Sequence, residues 1–236
     1  MSTAIAAPSL PARVGIATLE IAGHVGGLVI LLGQILRRFR PSQVDRYELM
    51  RNLYRMGVKS MPIVAATAFF AGAIMVIQAA PIVMQYEAKN LVGWSATFST
   101  FREICPLLIG LMFNGRVGAN NTAELGTMVV TEQLDALRAL AIDPITYLIV
   151  PRVIAIIAIM TLLAVIADFL AIIGAMGMAY VMLDLHPIQY FWNALPMIDA
   201  WDFWVGIIKA FFFGIMIALN SSCLLYTSDA ADERSS

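Results

Sequence analysis

Charge is scarce in this sequence. Only 13% of its 236 residues are Asp, Glu, Lys or Arg, about half the share of an ordinary soluble domain. Hydrophobic residues make up 60% and the mean hydropathy is +0.81, so a soluble globular fold is excluded and lipid is the remaining solvent. A basic excess is missing too: 15 Lys and Arg against 16 Asp and Glu leave a net charge of -1, which excludes nucleic acid as a partner. Two cysteines, Cys105 and Cys223, cannot build a disulfide framework or a four-ligand zinc site. Two histidines far apart, His24 and His186, leave no H-E-x-x-H helix, so no metal or cofactor is expected. The three lysines, Lys59, Lys89 and Lys209, follow no G-x-x-x-x-G run. The chain therefore carries no nucleotide site of its own by that motif.

What is present is a series of long apolar runs, and a spanning helix needs roughly 20 such residues. Met61 to Met84 has no charge and is the cleanest span. A second, 94–126, is interrupted by Arg102 and Glu103 and turns small and polar after Asn114. A third, 145–183, contains an apolar run from Val153 to Leu183 longer than a perpendicular helix requires, so it should tilt or bend, with Gly174 and Gly177 as the places. A fourth covers 203–222, with Lys209 near its beginning. Val14 to Leu36 is apolar enough to span, yet carries Glu20 and His24 one turn apart and ends in Arg37, Arg38 and Arg40. It reads as a helix over 14–40 lying in the interface, Ile16, Leu19 and Ile30 toward acyl chains, with a first transmembrane helix as the alternative.

Orientation follows from Lys and Arg in short loops. Seven basic residues lie between Arg37 and Lys59, and Arg51, Arg55 and Lys59 recur every four residues, a stripe suited to anionic headgroups. That segment is read as cytoplasmic. The connection from Met182 to Asp202 holds Asp184, Asp199 and Asp202 and no Lys or Arg, so it faces the other side.

Two segments carry more than topology. In Gly115 to Met128, read as a helix, Gly115, Ala119 and Ala123 share one face, with Gly118, Thr122 and Gly126 beside them. Small residues at that spacing let two backbones approach inside a membrane, either within the chain or between subunits. Arg116 and Glu124 are costly at membrane depth and should line a polar cavity or mark the cytoplasmic boundary. In the next segment Val130, Leu134, Leu137 and Ala141 form an apolar stripe, with Glu132, Asp135 and Arg138 elsewhere on the surface. Asp143 then caps a helix beginning at Pro144. This describes a short amphipathic helix, 131–140, resting on the bilayer or docking into a groove on a protein.

The run Arg102-Glu103, Cys105-Pro106-Leu107-Leu108, Gly115-Arg116-Val117-Gly118, Ala123 to Met128, Thr131 to Leu137, Ile142-Asp143-Pro144 and Val150-Pro151-Arg152 resembles the MlaE-type permease family of lipid-transporting ABC systems. Upstream the likeness extends through Tyr54 to Val58, Ser60 to Ile63 and Glu87 to Gly93, and downstream through Asp168. It implies an all-α polytopic protein of the bacterial inner membrane, with an N-terminal interfacial helix and about four spans here, a fifth being expected in full-length relatives. It also implies a homodimer between a cytoplasmic ABC ATPase and a periplasmic MCE-domain lipid-binding subunit, moving phospholipids to maintain outer-membrane lipid asymmetry. In such permeases the loop helix docks on the ATPase, which assigns coupling to Thr131, Glu132, Leu134, Asp135, Leu137 and Arg138. Gly115, Arg116, Gly118, Ala119, Ala123, Glu124 and Gly126 would form the dimer face or cavity, and Asp168, midway along its span, would be a functional membrane carboxylate. Two departures stand out: Asn120-Asn121 replaces small or apolar residues, and residues 223–236 resemble translated adapter sequence rather than the family's last helix. Residues 1–222 are thus expected to form a single permease domain followed by a non-native tail. The competing readings are an intramembrane enzyme using Asp168, Glu124 or Glu103, for which neither histidine is placed, and a membrane scaffold without transport.

Overall fold

A computed structural model describes residues 10–38 and 45–223. Within these residues all regular structure is helical: α1 (Leu10–Arg38), α2 (Arg46–Leu53), α3 (Met61–Gln85), α4 (Leu91–Ser99), α5 (Cys105–Phe113), α6 (Ala119–Val130), α7 (Gln133–Ala139), α8 (Val150–Leu183), α9 (Pro187–Ala194) and α10 (Ala200–Ser222). The π-helical turns Thr100–Ile104 and Asn114–Gly118 join α4, α5 and α6 into one continuous helix, and Ile145–Ile149 extends α8 at its start. Four helical stretches are long and apolar enough to cross a membrane: Met61–Gln85, Leu91–Val130, Ile145–Leu183 and Ala200–Ser222. The expected tail at 223–236 falls, from residue 224 on, outside the described residues, as do the side chains of Ile16, Glu20 and His24.

Helix α8 is the axis of the bundle. Ala155, Ile156, Met160, Ala164, Ala167 and Ala171 are all buried along it, and the small members let neighbours come close where dispersion replaces the hydrophobic effect as the driving force. The largest contact is with α3, and it is antiparallel at backbone distance. A Cβ built on Gly72 would stand 1.9 Å from the Ala171 carbonyl oxygen, and one on Gly174 the same 1.9 Å from the Phe69 carbonyl oxygen. Only glycine fits at either place. Gly174, one of the two places expected for a bend, is thus a contact point with α3 within a continuous helix, and Gly177 faces open space.

The other elements pack around this pair. Leu31 and Ile35 anchor the second half of α1 in the core, while Leu19, Val25 and Ile30 are exposed. Asp45 caps α2 by accepting a hydrogen bond from the Tyr47 amide at 2.9 Å. The acidic connection folds as α9 against α4, where the buried Tyr190 hydroxyl meets Thr97 Oγ1 at 3.1 Å. Asp199 and Asp202 then form a reciprocal capping box that starts α10. Successive spans reverse direction, so the start of α3, the end of α6, the start of α8 and the end of α10 meet at one end of the bundle, here called the basic end. The start of α10 and the Thr100–Ile104 turn lie toward the other, the far end.

Candidate functional site at the basic end

The polar residues expected along Gly115 to Gly126 divide by face. Gly115, Arg116, Ala119, Asn120 and Ala123 are exposed, whereas Val117, Gly118, Asn121 and Leu125 are buried. A Cβ on Gly118 would lie 2.7 Å from Asn114 Oδ1 and 3.5 Å from Ile217, so Gly118 packs inside its own chain. Gly115 and Gly126 have nothing within 4 Å. The expected small-residue face is thus partly internal, at Gly118, and partly bare, at Gly115, Ala119 and Ala123.

Glu124 is the centre of a charge network. Its Oε1 accepts from Arg55 Nη1 at 2.7 Å and its Oε2 lies 3.4 Å from Arg152 Nη2. Arg152 is 3% exposed. Its Nη1 donates to Asn121 Oδ1 at 2.9 Å, and Asn121 Nδ2 donates to Ser221 Oγ at 2.8 Å. Thr122 Oγ1 adds a bond to the Ser221 carbonyl at 3.3 Å. One chain of contacts therefore joins the Tyr54–Val58 π turn, α6, α8 and α10. Asn121 bridges one nitrogen of the buried Arg152 guanidinium to Ser221, while Arg152 Nε has no hydrogen-bond partner among the described residues, and Asn120 beside Asn121 faces outward.

Beside Glu124 opens a polar cavity of ≈ 190 Å³ lined by Arg55, Lys59, Ser60, Arg116, Asn120 and Glu124. The stripe of Arg51, Arg55 and Lys59 is accordingly not a uniform headgroup-facing row. Arg51 pairs with Glu48 at 2.9 Å, Arg55 with Glu124, and Lys59 turns to the cavity. The cations sit on or next to π-helical turns: Arg55 in Tyr54–Val58, with Lys59 just after it, and Arg116 in Asn114–Gly118. Such turns widen the helix by a residue and re-aim the side chains they carry.

Past α6 the chain turns into α7 through Glu132, whose φ of 55° is left-handed, and leaves it through Ala141 at 58°. Each such non-glycine residue costs about 1–2 kcal/mol, so the orientation of α7 is imposed by its surroundings. Thr131 and Glu132 precede the helix, which is shorter than 131–140. Leu134 is 5% exposed and part of the main core. The expectation that Leu134 and Leu137 together fill a partner's groove is corrected here: Leu134 anchors α7 to its own bundle, and Leu137 is half-buried. Thr131, Glu132, Asp135 and Arg138 are exposed, with Arg138 Nη1 3.3 Å from Asp135 Oδ1. Asp143 then caps the following turn, its Oδ2 accepting from Thr146 Oγ1 at 2.6 Å.

Two further charged sites lie away from this end. Asp168 is 2% exposed on α8 and its Oδ1 has no hydrogen-bond partner among the described residues; the Cys105 thiol faces its carboxyl group. Toward the far end Arg102 Nη1 pairs with Asp202 Oδ1 at 3.1 Å and stacks over Phe98 at 5.4 Å. Lys209 Nζ reaches Glu103 Oε1 at 2.6 Å and the Arg102 carbonyl at 2.8 Å. Sequence reasoning assigns Arg152, Ser221 and Lys209 to no site and Arg55 only to the headgroup-facing stripe. Arg152 could have been assigned, because one guanidinium at the head of an otherwise apolar run is too costly there to lack a partner.

The geometry is that of a membrane bundle with a buried polar seam, a bare small-residue face and a short helix held out beyond the spans. Comparison with known proteins agrees. A probable ABC transporter permease protein of Rickettsia prowazekii is 39% identical over 173 residues, 73% of this chain and 67% of that one. One of Rickettsia felis is 35% identical over 208 residues, 88% and 80% of the two chains. The intermembrane phospholipid transport system permease protein MlaE of Haemophilus influenzae is 31% identical over 173 residues, covering 72% and 65%. The sequence profile of the family described as Permease MlaE matches residues 49–231, a stretch that takes in every residue of the seam, the bare face and the protruding helix, and the chain therefore belongs to the MlaE permease family.

Proposed function

We propose that this protein is the membrane-spanning subunit of a homodimeric, ATPase-driven phospholipid transporter of the bacterial inner membrane that serves outer-membrane lipid asymmetry. The observation that carries this reading is the bare face of Gly115, Ala119 and Ala123. Small residues facing lipid gain little, whereas against a second copy they allow backbone-distance packing beside a polar cavity. The phospholipid assignment is supported by the name of the Haemophilus relative, an intermembrane phospholipid transport system permease protein. Energy would enter through α7: with Leu134 fixed in the bundle, the outer surface of Thr131, Glu132, Asp135 and Arg138 is what an ATPase can grip, and a push on it is passed to the core. The acidic connection at the far end is where a periplasmic MCE-domain subunit would sit. Asp168 is proposed as a functional carboxylate, checked by Asp168→Asn in a transport assay together with a stability measurement.

The decisive experiment joins geometry to turnover. In the complex reconstituted with its ATPase, Ala119→Cys should give an oxidative cross-link between two permease chains, and Glu132→Lys with Asp135→Lys should separate ATP hydrolysis from lipid transfer while the protein stays inserted. A monomeric permease, or normal coupling in the double variant, overturns the reading. A non-transporting scaffold would show an ATPase indifferent to this subunit.

A further inference from the structure

The seam described above leaves an imbalance. Glu124 gives one carboxylate oxygen to Arg55 and the other to Arg152, and no second acid lines the cavity beside it. Lys59 and Arg116 both face that cavity and neither has an ion-pair partner among the described residues. Taken with Glu48 and Arg51 just outside, which neutralise each other, the region keeps an excess of positive charge at the margin of the membrane.

The neutral groups there have the same bias. Ser60 is 2% exposed and lines the cavity with its hydroxyl group. Asn120 presents an amide on the opposite wall. The donors come from two stretches of chain that line the same cavity, the approach to α3 and the Asn114–Gly118 turn with the start of α6, so one small ligand could be held from both sides. A guanidinium supplies a planar fork and an ammonium a mobile point charge, the pairing that suits a phosphate group. Depth matters as well: Lys59 and Ser60 immediately precede the span beginning at Met61, and Met56 and Val117 supply apolar wall. Phosphates of a bilayer leaflet lie at that level, with acyl chains continuing along the apolar helices.

We propose that Arg55, Lys59, Ser60, Arg116 and Asn120 form a binding site for a phosphate-bearing anion, the headgroup of an anionic phospholipid in the leaflet at the basic end. The site does not depend on whether the protein transports lipid. A lipid held there would supply the counter-charge that the seam lacks.

The test uses the full chain in detergent, with phosphatidylglycerol and phosphatidylcholine as probes and native mass spectrometry as the readout. Wild type should retain phosphatidylglycerol in preference to phosphatidylcholine. Lys59→Gln with Arg116→Gln should lower that retention about tenfold or more, as loss of two charge-assisted contacts implies, while Lys89→Gln, an exposed cation elsewhere, leaves it unchanged. Neither Lys59 nor Arg116 is in an ion pair, so the double variant should keep the wild-type unfolding temperature. Arg116→Lys, which keeps charge and loses the fork, should fall between. Competition by inorganic phosphate separates the sources: displacement that depends on Lys59 and Arg116 means the phosphate group alone suffices, and binding that resists phosphate means the lipid headgroup is the ligand. Equal retention of the two lipids, or retention indifferent to the double substitution in a folded protein, overturns the proposal.

Discussion

At the basic end one carboxylate, Glu124, serves two guanidiniums, one of them buried; toward the far end Arg102–Asp202 and Lys209–Glu103 pair one to one and stay partly open. The difference rests on Arg152, whose side chain is 3% exposed against 37% for Lys209 and 40% for Arg102; the Arg55–Glu124 pair, at 39% and 21%, is as open as Arg102–Asp202 at 40% and 11%. Membrane dimensions explain why both clusters need partners. Between Glu103 and Arg116 lie 12 residues, Ile104 to Gly115, a rise of about 18 Å, where the hydrocarbon core is roughly 30 Å thick. One helix cannot hold both clusters in water at once. The protein answers with a network anchored on a buried guanidinium at one end and separate one-to-one pairs at the other, so Arg152 is structural glue in the first place and the pairs of the second are adjustable contacts.

Substitutions can break this contrast. Glu124→Ala leaves Arg152 buried without its carboxylate and is expected to cost about 3–5 kcal/mol, read as loss of unfolding free energy in detergent; a cost below about 1 kcal/mol would mean that water reaches the seam. Asn121→Leu strips Arg152 and Ser221 of their bridge and should cost about 1–3 kcal/mol. Toward the far end Arg102→Gln should cost only about 1–2 kcal/mol, combining a partly exposed ion pair with the stacking over Phe98. Lys209→Met should cost about 0–1 kcal/mol, and raising salt from about 0.1 to 1 M should shrink that difference while leaving the Glu124→Ala cost in place. Equal salt sensitivity at both ends would erase the distinction.

Much of this was legible in the chain. Run length and charge interruption revealed four spans and the all-helical class, because lipid forces backbone hydrogen bonds to close within each segment. Partnering was not legible. An apolar stripe such as Val130, Leu134 and Leu137 declares that something covers it but not whether the cover is another protein or the same bundle, and for Leu134 it is the same bundle. Gly174 reads as a weak point by propensity alone; only the neighbour's carbonyl reveals it as a contact. The π-helical turns that carry Arg55, Arg102 and Arg116 follow from packing and have no residue signature of their own. The Glu124–Arg152 pair spans a loop and a change of helix, so neither residue's local context pointed to the other.

The crossing of α3 and α8 has a mechanical consequence. Gly72 against the Ala171 carbonyl and Gly174 against the Phe69 carbonyl form two opposed teeth. Sliding either helix by one turn would bring Ala68 or Val76, or Leu170 or Met178, to the place a glycine now holds and drive a side-chain carbon into the oxygen it clears. The pair is therefore a strut without a gliding joint, and any cycle of opening and closing must turn it as a single body about the surfaces around it.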